Sequence, residues 1–149
     1  MLGKKTNLAS LLKDASLLVT KGYLAGNWVD GENGTTFDVY NPARGDVIAQ
    51  VADFSRAQAA EAIAIAEGAQ KDWASMTAKE RSVILRRWFD LMIENADDLA
   101  IILTAEQGKP LAEAKGEIAY GASFIEFFAE EAKRIYGETI PGYQADKKI

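Results

Sequence analysis

Chemistry in this chain has to be built without two of the most versatile side chains, since none of its 149 residues is a cysteine or a histidine. It therefore offers no thiol nucleophile and no imidazole base, and a zinc site of Cys or His ligands cannot be assembled from it. The reactive groups that remain are carboxylates, amines, guanidines and phenols, with 22 Asp and Glu against 17 Lys and Arg. Their spacing excludes several chemistries. Gly108-Lys109 is not a phosphate loop, because Leu103 and Pro110 stand where such a loop needs a glycine and a Ser or Thr. No Gly-x-Gly-x-x-Gly occurs. Lys79, Arg81, Arg86 and Arg87 share one predicted helix, but Glu80 and Asp90 flank them, the pattern of a solvated face rather than an anion site. Glu126, Glu130 and Glu131 with Lys133 and Arg134 suit an exposed, salt-bridged face in the same way.

The overall balance narrows the partners. A net charge of −5 argues against nucleic acid, whose phosphates need clustered Lys and Arg, and against docking on an anionic membrane. No segment approaches the ~20 continuous apolar residues of a membrane span. Leu8, Leu11, Leu12, Leu17, Leu18 and Val19 enrich the N-terminus, but Lys13 and Asp14 interrupt them and no small-residue cleavage site follows. This reads as a short amphipathic helix rather than a signal peptide, and cytoplasm is the expected compartment. Apolar residues make up 48%, an ordinary globular share over one domain's length.

The elements that must position any site follow from local pattern. Leu8 to Leu18 reads as a first helix. Tyr23-Leu24-Ala25 and Trp28-Val29 read as a strand broken by Gly26-Asn27. The turn-rich Asp30 to Gly34 joins it to a strand over Thr35 to Tyr40, predicting a β-hairpin. Asn41-Pro42 stops that strand, and Val47 to Val51 is a third. Ser55 with Gln58, and Thr77 with Glu80, are capping boxes that open two helices. The second of these carries Ile84, Trp88 and Leu91 beside Leu85, Phe89 and Met92, a face wide enough for two neighbours. Asn95 suits the cap of a third helix, with Asp97 and Asp98 in its first turn. Gly108 suits the residue after that helix, and Pro110 the first position of the next. The last helix is expected over Leu111 to Tyr136, with Ile118, Ala122, Ile125, Ala129, Ala132 and Tyr136 on one stripe. The class is α/β, and Ile149 reads as the first residue of a further strand.

In this order the residues resemble a known family. Tyr23-Leu24-Ala25-Gly26-Asn27-Trp28 is similar to the "I-N-G-E-W" strand of aldehyde dehydrogenases. Asn41-Pro42-Ala43-Arg44-Gly45-Asp46 is similar to their "N-P-A-T-G-E" turn, and Trp73 followed by Glu80-Arg81 and Ile84-Leu85 to their "W…E-R-x-x-I-L" helices. Glu106-Gln107-Gly108-Lys109-Pro110 with Glu113-Ala114 matches "E-x-G-K-P-x-x-E-A", and Tyr136 to Pro141 matches "Y-G-x-T-I-P". The stretch Gly116 to Glu131 looks most like the succinate-semialdehyde dehydrogenase branch, with the glutarate-semialdehyde enzymes as near neighbours.

The resemblance implies that residues 1–149 are the N-terminal portion of an NAD(P)-binding domain: an N-terminal helix, a short β-hairpin and third strand, then four helices. It implies an enzyme in which a cysteine thiolate attacks a semialdehyde, hydride passes to NAD or NADP, and a glutamate activates water to release the acid. With no cysteine, this chain alone is expected to be inactive. The catalytic residues, the cofactor loops and most of the oligomerisation strands of a homo-oligomer are expected beyond Ile149, with Gly142 to Ile149 beginning one such strand. Three assignments fall on residues present here. Backbone carbonyls at Val39 and Tyr40 with the Glu106 carboxylate would hold a weak monovalent cation, Glu106 otherwise being a solvated helix-end carboxylate. Tyr120 and Phe124 would line the substrate tunnel, ordinary core packing being the alternative for both. A stand-alone helical interaction module derived from such an enzyme is the rival reading of the whole.

Overall fold

The computed structural model describes residues 7–147. Two small antiparallel sheets come first. Strand β1, Gly22–Leu24, pairs with β2, Asn27–Val29, with Tyr23 opposite Trp28. Strand β3, Thr36–Tyr40, pairs with β4, Val47–Ala52. Four helices follow: α1 over Arg56–Ser75, α2 over Ala78–Glu94, α3 over Ala96–Gln107 and α4 over Leu111–Glu131.

The pairing differs from the single hairpin expected around Asp30 to Gly34. The first hairpin closes earlier, on the two-residue loop Ala25-Gly26, whose φ values of 48° and 83° are the primed-turn geometry that matches strand twist. Residues Glu32–Gly34 form a 3₁₀ turn that carries the chain across to the second sheet. The second hairpin turns on Asn41, whose side-chain oxygen accepts the Ala43 and Arg44 amides at 2.9 and 3.2 Å. Arg44 and Asp46 close this turn with an ion pair at 2.8 Å.

The expected N-terminal helix is likewise not an α-helix. Leu8–Leu11 and Ala15–Leu17 are two 3₁₀ turns, separated by extended Leu12 and Asp14 with a bend at Lys13. The cause lies far away in sequence. Asp98, at the start of α3, accepts the backbone N–H groups of Lys13 and Asp14 at 3.0 and 2.8 Å. Those amides would otherwise serve a continuous helix, so the segment becomes a strap laid over α3.

The helical half is a slab in which α4 packs against both α2 and α3. Its seam is made of small residues: Ala114, Ala122 and Ala129 of α4 and Ala100 of α3 are buried. Small side chains let the backbones approach closely, so the core is thin. Among the described residues no large side chain is fully buried. Both capping boxes form as the sequence predicts. Gln58 also reaches beyond its own helix, accepting the Glu32 amide and donating to the Asp30 carbonyl. Asn95 does not cap α3 with its side chain, which turns back to donate to the Leu91 carbonyl at 2.8 Å.

α4 ends at Glu131, five residues before the expected Tyr136. From there the backbone bonds shorten from the α spacing, Ala132 to Phe128, to the 3₁₀ spacing, Lys133 to Glu130 and Arg134 to Glu131. Tyr136 is exposed and off the stripe. Beyond it, Gly142 to Lys147 is not a strand: the chain bends and turns, with the Lys147 amide on the Gln144 carbonyl. Ile149 lies outside the described residues.

Candidate functional site

Two regions gather the residues singled out from sequence. The first lies where the strap, the second hairpin and the C-terminal end of α3 meet. Gly108 takes the left-handed conformation that ends α3, with φ of 81°. A Cβ at Gly108 would stand 2.7 Å from the Pro42 ring, so two motifs 66 positions apart in sequence are in contact, and only glycine fits between them. Next to this seam is a cavity of about 100 Å³, lined by Leu8, Leu17, Leu18 and Val19 of the strap, Val39, Ile48, Ala49 and Val51 of the sheet, and Ile102 and Glu106 of α3.

Val39 and Glu106 both line this cavity. Tyr40 is not in the lining. Its ring is half exposed, and its hydroxyl donates to Asp38 at 3.2 Å. That carboxylate raises the phenol's pKa above its ordinary value. The ladder is irregular between Val39 and Tyr40, leaving Ile48 as the extra residue of a β-bulge. A bulge disrupts regular pairing and frees backbone groups.

Glu106 is the only polar side chain in the lining and is itself exposed; the other nine lining side chains are apolar. The last turn of a helix carries unpaired carbonyls and the negative end of its dipole, and no basic residue occupies the last turn of α3. Among the described residues no cluster of three or more Asp or Glu could hold a metal. One carboxylate with carbonyls fits a monovalent ion better than a divalent one.

The second region is the outer face of α4. Tyr120 and Phe124 meet edge to face, ring centroids 4.8 Å apart, and form an open trough of 590 Å³ with Ser123, Glu126, Phe127 and Phe128. Neither is a core residue: Tyr120 is 65% exposed and Phe124 48%. Phe127 and Phe128, also stacked edge to face at 5.3 Å, escaped the sequence reading. Their signal was present, since positions 120, 124, 127 and 128 follow the i, i+4, i+7, i+8 rhythm of one helical face. On α2 the expected double face divides. Leu85, Phe89 and Met92 are half-buried, with the Met92 methyl beside Gly121 of α4, while Ile84, Trp88 and Leu91 remain exposed.

The charged groups behave as structural pairs. Arg86 bridges to Glu126 of α4 at 3.0 Å and lies over the Phe89 ring, Arg87 pairs with Glu94, and Arg81 donates to the Met76 carbonyl. Lys109 pairs with Glu117. Asp97 is held at about pKa 2 by hydrogen bonds from Lys115 and then Lys13, their positive charges adding to the effect. The connection from β4 to α1 is Asp53-Phe54-Ser55, with no glycine to admit a pyrophosphate against its backbone.

Comparison with known proteins identifies the family. Residues 28–149 match the family model described as the aldehyde dehydrogenase family. A glutarate-semialdehyde dehydrogenase of Pseudomonas putida is 61% identical over 93% of the chain and 29% of its own length. The NADP(+) succinate-semialdehyde dehydrogenase of Escherichia coli K12 is 54% identical, with the same coverage of each. The crystal structure of succinate-semialdehyde dehydrogenase from Burkholderia pseudomallei superposes with a TM-score of 0.86 at 55% identity, over 92% of this chain and 28% of that one. The chain spans about 29% of the length of the curated relatives it matches.

Proposed function

Since the chain belongs to the aldehyde dehydrogenase family, we propose that it is the N-terminal portion of an NAD(P)-dependent dehydrogenase that oxidises a short dicarboxylic semialdehyde to the diacid. Succinate semialdehyde is the first substrate to try and glutarate semialdehyde the alternative. The observation that carries this reading is the unbroken likeness over 93% of the chain to enzymes named for these two substrates.

Surface area supports a part over a stand-alone module. The chain exposes 11,030 Å², whereas a compact monomer of its mass exposes about 7,500 Å². The surplus of roughly 3,500 Å² far exceeds the ~800 Å² that each partner buries in a standard interface. Much of it is aromatic and aliphatic, on α2, α4 and the segment after α4.

In this reading α4 forms one wall of the substrate entrance. The Tyr120 hydroxyl donates to a polar group of the semialdehyde, and Phe124 with Phe127 keeps the passage narrow and apolar. The nicotinamide cofactor, when bound, accepts hydride. The nucleophilic thiolate comes from outside these residues, which hold no cysteine. Val39 and Glu106 hold a monovalent cation that steadies the junction of hairpin and helix. The native protein assembles as a homo-oligomer.

The test is an assay of the native protein carrying this sequence and, separately, of the 149-residue chain. Each is given succinate semialdehyde or glutarate semialdehyde with NAD⁺ or NADP⁺. The native protein should reduce cofactor with at least one semialdehyde, and the chain alone with neither. Turnover by the chain itself, or a native protein inert toward both substrates, would refute the proposal.

A further inference from the structure

The trough on α4 carries a charge of the wrong sign for the substrate proposed above. Glu126 is the only charged residue in its lining, among aromatic rings and Ser123. A dicarboxylic semialdehyde is itself an anion, through the carboxylate it keeps. A trough of 590 Å³ keeps any occupant close to Glu126 on the scale of the Debye length, ~8 Å at physiological salt. Salt alone therefore does not hide one charge from the other. The opposing charge comes from α2. Arg86 reaches across to α4 and places Nη1 3.0 Å from the Glu126 carboxylate. Two residues of its own helix aim the guanidinium: the Phe89 ring lies 4.8 Å from it, and Asp90 pairs with Nε at 3.5 Å. Asp90 does not line the trough. Arg86 and Glu126 are both partly exposed on their side chains, and exposed ion pairs add little to folding stability. What the pair does alter is the charge that the trough presents.

We propose that Arg86 makes this wall passable to an anionic aldehyde by cancelling the charge of Glu126, and so sets a preference among aldehydes from a position outside the trough. The inference rests on the reading of α4 as one wall of the substrate entrance. Arg86 touches no substrate in this arrangement; it acts through Glu126 and is a positioning residue. With the pair intact the wall is neutral, and Tyr120 and Phe124 meet an approaching semialdehyde without repulsion. Without Arg86, Glu126 stands as a bare carboxylate, and a cleft carrying that charge lowers the local concentration of an anion. A neutral aldehyde of the same length feels no such force. The effect falls on entry and not on hydride transfer, so it belongs to KM and not to kcat.

The experiment assays the native protein with a semialdehyde anion, succinate or glutarate semialdehyde, and with butanal as a neutral aldehyde, at low and at high sodium chloride. Arg86→Gln should raise KM for the anion about fivefold at low salt, and less at high salt, where the charges are screened. The butanal KM should stay unchanged. Arg86→Lys keeps the charge and should stay near the wild type. Adding Glu126→Gln to Arg86→Gln removes the bare carboxylate and should bring the anion's KM back. A KM that rises equally for both aldehydes makes Arg86 a packing residue and overturns the proposal. An unchanged KM for the anion in Arg86→Gln overturns it as well. Phe124→Ala separates that failure from failure of the entrance reading. If Phe124→Ala raises KM and Arg86→Gln does not, the entrance stands and the charge role falls; if neither moves KM, both fall. Should Arg86→Gln not fold, Ser123→Asp sets an unpaired carboxylate on the same trough. It must raise KM for the anion alone, and an anion KM left unchanged, or raised together with that of butanal, overturns the proposal.

Discussion

The helical slab and the β-rich flank are held together by different means. In the slab, α4 approaches α2 and α3 along a line of alanines, with the Arg86–Glu126 and Asp97–Lys115 ion pairs bridging the helices at its surface. In the flank, contacts are few and specific: Asp98 on two strap amides, Gly108 against Pro42, and Gly22 under the ring of Phe54. The difference teaches where each region is vulnerable. A slab packed on small residues cannot accept volume. A flank pinned at points cannot lose a pin or accept a Cβ at one. Outside the seam the slab carries large aromatic side chains that nothing in the described chain covers, and there it should tolerate change.

The sharpest way to break the slab is Ala122→Leu. Ala122 is completely buried, and three added carbons have no space between the helices. Overpacking of this kind costs about 3 kcal/mol at the upper end of its usual range. Urea unfolding should show the midpoint falling with little change in slope. A loss under ~0.5 kcal/mol, the size of an ordinary surface substitution, would mean the seam is looser than its burial implies.

Gly108→Ala probes the flank's counterpart and should cost about 2 kcal/mol. A non-glycine residue in the left-handed region loses roughly 1–2 kcal/mol, and here the new methyl also meets the Pro42 ring. The same urea-unfolding comparison decides it. The two sources of loss separate in a Pro42→Ala background, where the steric part should shrink and the conformational part remain.

These two positions also mark what could be read from sequence. Gly108 was legible because the rule for ending a helix is local, and so were the capping boxes at Ser55 and Thr77. The alanine stripe of α4 was legible from its spacing through Ala129. It was overrun to Tyr136 because no residue there announces a stop; the helix unwinds through shortened backbone bonds instead. The strap was misread as a helix because its leucine pattern is helical, while the group that overrides it, Asp98, lies 84 and 85 residues away. The hairpin was assigned to the wrong turn for a related reason. Asp30 to Gly34 has turn composition, whereas the turn that closes the hairpin contains Ala25, a residue that rarely adopts positive φ. Glu106 and Val39, named through a resemblance, line one cavity. Asp98 carries no motif and emerged only from its contacts.

Ala25 offers a smaller effect of opposite sign. Its φ of 48° places an alanine where asparagine or glycine is favoured. Ala25→Asn should relieve that strain and stabilise the first hairpin by about 1 kcal/mol. Amide exchange at β1 and β2 is the right measurement, because the gain belongs to a hairpin that opens on its own. Slower exchange there with unchanged exchange in α3 and α4 would show that the flank's strain is local. Uniform slowing would show instead that the flank and the slab unfold as one unit.

The smallest effect on folding belongs to the bare face of the slab. Phe124 sits on the same helix as Ala122, two residues away, but its ring meets Tyr120 and open space. In the isolated chain Phe124→Ala should change stability by less than ~0.5 kcal/mol, because little buried area is lost. Ala122→Leu and Phe124→Ala therefore form a matched pair in which the larger change of volume does the lesser harm. The native protein should reverse the order of importance. If α4 walls the substrate entrance, removing the ring widens it and weakens binding that is equal in the ground and transition states. KM for the semialdehyde should then rise about 5–10-fold with kcat little changed. A variant that loses stability in the isolated chain would show Phe124 to be a core residue. One that keeps both stability and KM would leave the aromatic face to some other partner and remove α4 from the entrance.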